Sequence, residues 1–202
     1  RLVARIQDGA TLIASSAAAA ASGRVTIPVY EIYKAGANPA WLDGLDIIGA
    51  LTGLSVAVVP HWNNNEGAMH DTSRCYIGEA RLQRLEREAP DGTAVLGIDE
   101  HTALTIDLGA NSISVSGKGA VTIRIPGIGE IALHSGASES LPAFTARFGA
   151  EVRMTAADLP RAAASVEHTA PVEASVHEPD SALGLAVERL IALRAAARSE
   201  KR

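Results

Sequence analysis

The run Ser55-Val56-Ala57-Val58-Val59-Pro60 is apolar at every position between its serine and its proline, with no alternation that would leave one side to water. A strand of that kind is covered on both faces, as parallel strands are in α/β sheets. It therefore needs helices or a second layer above and below it. Upstream, Ala10 to Ser15 is a second short apolar run, read as a buried strand, and Ala17 to Ala21 is a helix-forming run stopped by Ser22-Gly23. Leu2, Val3 and Ile6, followed by Asp8-Gly9, read as the end of an amphipathic helix. Val25 to Ala40 contains Pro28, Gly36 and Pro39 without a sustained period, so it is expected to be a surface loop.

After His61 and the polar stretch Asn63-Asn64-Asn65-Glu66-Gly67, Asp71 is placed to cap a helix reaching Ala89, with positions 75, 78, 82, 85 and 89 as its buried stripe. Ala94 to Ile98 and Ala103 to Leu108 read as further strands. Ile113 to Val115, Val121 to Ile125 and Glu130 to Leu133, separated by glycines, read as an antiparallel meander. The order predicts an α/β fold with a mostly parallel sheet, an antiparallel β extension and a C-terminal helix. The predicted domain covers 1–150. Residues 151–180, rich in Ala, Pro, Glu, Ser and His, read as a linker, and 181–202 as an apolar-rich helix with a basic end.

Composition narrows the function classes. The 202 residues are 47% apolar and 20% charged with a net charge of −5, which suits a globular chain without the basic footprint of a nucleic-acid binder. Aromatics make up only 3% while alanine fills 38 positions, so core volume has to come from Val, Ile and Leu. No stretch reaches the length of a membrane span. The single cysteine, Cys75, forbids an internal disulfide and fits a reducing, cytoplasmic setting; it falls on the buried stripe of its helix and reads as core. No cofactor is implied, and the spacing of His61, His70, Asp71 and Cys75 matches no usual zinc pattern. Homo-oligomerisation is left open. Because the chain opens at Arg1 inside an apparent helix, further sequence upstream is expected.

The chemistry concentrates at Ala14-Ser15-Ser16-Ala17-Ala18, between a strand candidate and a helix. A nucleophile elbow needs small residues two before and two after its serine, a condition met at Ser16 by Ala14 and Ala18 and failed at Ser15 by Ile13. The N-terminal amides of the helix would then face a developing oxyanion. His61, directly after the apolar strand, is a candidate general base, since loops outside the carboxyl ends of parallel strands gather ligands. Glu31 is a candidate for orienting it. Asp99 and Glu100 precede Thr102 after a strand, where they serve either as a site anchor, with Glu100 or Asp99 a rival third member of a triad, or as caps of a turn.

Ser16 within ASSAAA, Glu31 fifteen residues on, His61 with Arg74 and Arg81 beyond it, and Gly97-Ile98-Asp99-Glu100-His101-Thr102-Ala103-Leu104 together resemble peptidase family S51. This is the cyanophycinase and aspartyl dipeptidase group, with a class I glutamine amidotransferase-like fold. The resemblance covers about residues 1–135. It implies a partial three-layer sandwich and a serine hydrolase acting on a small peptide or amide, with Ser16 as nucleophile, His61 as base and Glu31 as its orienter. Asp99, Glu100, Thr102 and Arg74 would support or bind. The group's elbow reads G-[ST]-S-A-G-A, whereas both glycines are alanines here, and the group draws an oxyanion donor from a glycine-rich loop upstream of the elbow. The alternative is a catalytically inactive amidotransferase-like binding module. A fainter resemblance links Leu190 to Arg198 with a C-terminal helix of cysteinyl-tRNA synthetases, which would imply tRNA contact.

Overall fold

The computed structural model describes residues 1–148. The expected linker and C-terminal helix, with the tRNA contact that helix implied, lie outside the described residues. The architecture is mixed α/β. One sheet has six strands in the order β2 (Leu42–Asp43), β1 (Val25–Thr26), β3 (Val56–Val59), β4 (Ala94–Ile98), β7 (Ala120–Ile125) and β8 (Gly129–His134). A smaller sheet is formed by β5 (Thr102–Asp107), β6 (Ser112–Gly117) and β9 (Ser138–Ser140). Six helices complete the described part: α1 (Leu2–Gln7), α2 (Ala17–Ala21), α3 (Val29–Tyr33), α4 (Ile47–Thr52), α5 (Glu79–Arg87) and α6 (Leu141–Ala146).

The continuously apolar run is the buried strand β3, covered on both sides as its composition requires. On one side Val56, Val58, Leu96, Val121 and Ile123 pack with Ile113 and Val115 of the small sheet, Ala19 of α2 and Phe144 of α6. On the other, Val59 and Val95 meet Ile32 of α3 and Leu82 and Leu85 of α5. Each fully buried Val or Leu side chain contributes about 1.5–3 kcal/mol by leaving water, so these two cores hold the sheet from both faces.

Several expectations are corrected. The large sheet is mixed, not mostly parallel: β1–β3 and β3–β4 are parallel, whereas β1–β2, β4–β7 and β7–β8 are antiparallel. Residues 10–15 form no strand, because they find no ladder partner among the described residues and Ile13 is 90% exposed. The supposed loop from Val25 to Ala40 contains β1 and α3, and its Ile27 and Ile32 are buried, so tertiary burial overrides the missing period. The meander is split. β5 and β6 pair in the small sheet, while β7 crosses to β4, a move that buries Val121 and Ile123 in the shared core.

The helix expected from Asp71 begins at Glu79. Between the two, Arg74, Cys75 and Tyr76 have φ of 57°, 60° and 68°, a left-handed turn that no right-handed helix accommodates. Asp71 still caps α5, across that loop: its carboxylate accepts from the Glu79 amide at 2.7 Å and from the Ser73 amide and hydroxyl. The Ser73 hydroxyl, followed by the Glu79 amide, lowers the Asp71 pKa. Cys75 and Leu82 and Leu85 of the expected stripe are buried.

Candidate active site

Three parallel strands end at one edge of the large sheet, and each delivers a segment there. β1 leads through Pro28 into α3, β3 leads through Pro60 to His61, and β4 leads to Asp99 and Glu100. Helix α2 runs back toward the start of β1, so its N-terminus lies at the same edge. That convergence brings together three residues separated by up to 84 positions in sequence.

Ser16 is the residue at which the chain turns into α2, with φ 50° and ψ −122°. A non-glycine residue in this region carries strain on the order of 1–3 kcal/mol, a feature that collects at functional sites. Of the two alanines standing where the resembled elbow has glycine, Ala14 is half-buried against the core beside α2 and Ala18 is exposed. The Ala18 methyl group is thus open to solvent, while that of Ala14 packs against the core. Ser16 Oγ lies 3.1 Å from His61 Nε2.

His61 Nδ1 lies 3.0 Å from Glu100 Oε1, and the same oxygen accepts from Asn64 Nδ2 at 2.8 Å. The Asn64 hydrogen bond, then the one from His61, holds the Glu100 carboxyl below its ordinary range. An ionised carboxylate only accepts, which assigns the proton of a neutral imidazole to Nδ1; Nε2 is then the acceptor and the Ser16 hydroxyl donates to it. The loop is pinned further. Asn63 Oδ1 accepts from the Glu100 amide at 2.9 Å, and the Trp62 amide donates to the Ile98 carbonyl at 3.0 Å. Gly97 belongs to the same arrangement, because the Trp62 indole lies where any β-carbon at that position would sit.

Glu31, expected as the orienting carboxylate, is exposed on α3 and makes no side-chain hydrogen bond to His61; Glu100 occupies the Nδ1 position instead. The register of β3 against β4 explains this: Val59 pairs with Gly97, which carries the residues after each strand to the same place. Arg74 is not turned to the site. Its guanidinium stacks 3.9 Å from the Trp62 ring and pairs with Glu79 at 2.7 Å. Asp99 accepts from the Ala120 amide at 2.8 Å, starting β7, and Thr102 bridges the Glu100 carbonyl and the Gly119 amide. These two hold the Glu100 turn. Burial pushes the Cys75 thiol up to about 12, so it remains a protonated core side chain. Among the described residues no cluster of three or more His, Cys, Asp or Glu could hold a metal ion, and no helix is long and apolar enough to cross a membrane.

Sequence reasoning missed the roles of Asn63 and Asn64. The tract Asn63-Asn64-Asn65 was visible as polar, but nothing local says that two of its side chains reach Glu100, 36 and 37 residues away. The Ala17 amide, the first after the serine, has no acceptor among the described residues and is free to donate.

The fold and site define a mixed α/β protein with a serine, an imidazole and a carboxylate in one hydrogen-bonded line. No family model matches the chain, and no curated protein matches it. Among solved structures, the chain is similar to a peptidase from an acI-B1 Actinobacterium, at 25% identity and a TM-score of 0.39, with 62% of this chain and 43% of that chain covered. The chain thus spans less than half the length of that protein.

Proposed function

We propose that this chain carries a serine-type hydrolase site for peptide or amide bonds, with Ser16 as nucleophile, His61 as general base and Glu100 as the carboxylate that orients and charges it. The observation that carries the reading is the unbroken relay from a strained strandless elbow through 3.1 Å and 3.0 Å contacts to a carboxylate held ionised by a second donor. It also supports the resemblance to the cyanophycinase and aspartyl dipeptidase group, with Glu100 in the role assigned to Glu31, and the two cores flanking the large sheet favour that group's layered architecture.

In this mechanism Ser16 Oγ attacks the scissile carbonyl carbon while its proton passes to His61 Nε2. The imidazolium so formed faces the Glu100 carboxylate. The carbonyl oxygen, now negative, receives the Ala17 N–H; one such donor is worth about 2.7–4 kcal/mol in the transition state. His61 then gives its proton to the departing amine, leaving an acyl group on Ser16. Water, deprotonated by the same imidazole, releases the acid and restores the serine.

A fluorophosphonate probe on the full chain tests this. Labelling that disappears in Ser16→Ala is the expected result. Folded, unlabelled wild-type protein would refute the hydrolase and leave a binding module on the same scaffold.

A further inference from the structure

Sequence position alone does not bring tyrosine to this edge of the sheet, yet all three tyrosines of the chain, at 30, 33 and 76, stand on the two segments beside the base. Tyr76 lies 5.5 Å from the His61 ring at an interplanar angle of 53°, and Tyr33 lies 5.7 Å from Tyr76 at 46°. The rings of His61, Tyr76 and Tyr33 form a continuous strip. Tyr33 is 46% exposed and Tyr30, one turn earlier on α3, is 67% exposed. Both rings are therefore open to solvent beside the base.

The strip is maintained at a cost. Tyr76 is the last of three consecutive left-handed residues, a conformation that L-residues with a side chain adopt only under strain. The turn is fastened to the base itself: the Cys75 amide donates to the His61 carbonyl at 3.2 Å and the Arg74 amide to the Trp62 carbonyl at 3.0 Å. Relaxing the turn would move Tyr76 away from His61. The charge around it has one sign. Glu100 Oε1 stands 3.0 Å from the His61 ring that Tyr76 lies against, and burial, followed by the Glu66 and Glu100 carboxylates, raises the Tyr76 pKa. The cations flanking the strip in sequence are committed elsewhere, Arg74 to Trp62 and Glu79, and Lys34 to the face of Tyr30 at 4.7 Å.

We infer that Tyr76 and Tyr33 form the specificity wall of the site and receive a flat aromatic side chain beside the scissile amide, while the neighbouring carboxylates turn acidic side chains away. This rests on the hydrolase reading and adds a substrate class to it. Stacked or edge-on aromatic pairs attract beyond the area they bury, which lets such a wall select among side chains.

The test uses diphenyl aminoalkylphosphonates with benzyl, methyl or carboxymethyl side chains, beside a small alkyl fluorophosphonate. In each diphenyl compound Ser16 Oγ bonds to phosphorus, a phenoxide leaves, and the serine proton passes through His61 to it. The benzyl compound is expected to label the full chain at least about tenfold faster than the carboxymethyl compound, a difference of about 1.4 kcal/mol. Tyr33→Ala is expected to lower the benzyl-to-methyl rate ratio about fivefold, and Tyr33→Phe to keep it, in line with an aromatic contact. Because the ratio is taken within one protein, a general loss of folded material does not move it. Reaction with the small fluorophosphonate but an unchanged ratio in Tyr33→Ala, or fastest labelling by the carboxymethyl compound, overturns the wall and leaves the hydrolase standing. No reaction with the small probe overturns both.

Discussion

Replacing Glu100 by glutamine isolates what its charge does. A single oxygen, Oε1, accepts both from Asn64 Nδ2 and from His61 Nδ1, so a glutamine carbonyl in that place keeps both hydrogen bonds and only the charge is lost. At 3.0 Å the carboxylate and the imidazolium attract by about 5.5 kcal/mol at an effective permittivity of 20. Both side chains are 28% exposed, so solvent screening brings this to about 2–3 kcal/mol. The imidazolium forms as the serine proton passes to His61, so in the proposed mechanism the loss falls on the rate, by about 30- to 150-fold. The assay is the second-order rate of fluorophosphonate labelling at pH 7, with Glu31→Gln measured beside it. Glu31→Gln should stay within about twofold, because surface side chains away from a site change little. If Glu100→Gln labels within threefold of the wild type, or if Glu31→Gln shows the larger loss, the assignment of the third residue is wrong.

The elbow strain gives a second expectation: Ser16→Gly, which is at ease at φ 50°, should be more stable than Ser16→Ala by about 1–2 kcal/mol in urea unfolding, although neither is labelled. Equal stabilities would mean the turn is unstrained. A third concerns Glu79, which the Arg124 hydrogen bond and then the Arg74 one hold down to about 2 from 4.5. Such a group stabilises fully above its unfolded value, and that stability is lost as pH falls from about 4.5 toward 2. For a carboxylate one-third exposed this amounts to about 1–2 kcal/mol. Glu79→Gln should therefore melt lower than the wild type at pH 7, with the gap closing below pH 4. Glu86, whose pKa burial raises, acts in the opposite sense in both proteins, so only the difference between them is informative. A gap independent of pH would refute the ion-pair account.

Much of the frame was legible because it rests on local chemistry. The apolar run at 55–60 can only be a strand covered twice, Ala94 to Ile98 follows the same logic, and the small residues around Ser16 mark a tight turn wherever the chain takes them. What misled was local evidence whose meaning depends on a partner. Ala10 to Ser15 has a strand's composition but no neighbour to pair with, and β1 has only two residues, too few to show a period. Asp71 carries a capping signal that is honoured, but across a left-handed turn invisible in residue types.

The same division runs through the site. Residue chemistry named Ser16 and His61, since an elbow and a post-strand histidine each have a signature within a few positions. It put Glu31 in the third place, with Glu100 only a rival, whereas the carboxylate against the imidazole is that of Glu100. Both carboxylates follow apolar segments, and which of them meets an imidazole depends on the register of β3 against β4, where Val59 lies opposite Gly97. Register is fixed by the burial of side chains across two strands and two cores. A property shared among residues so far apart exists only once the chain has folded.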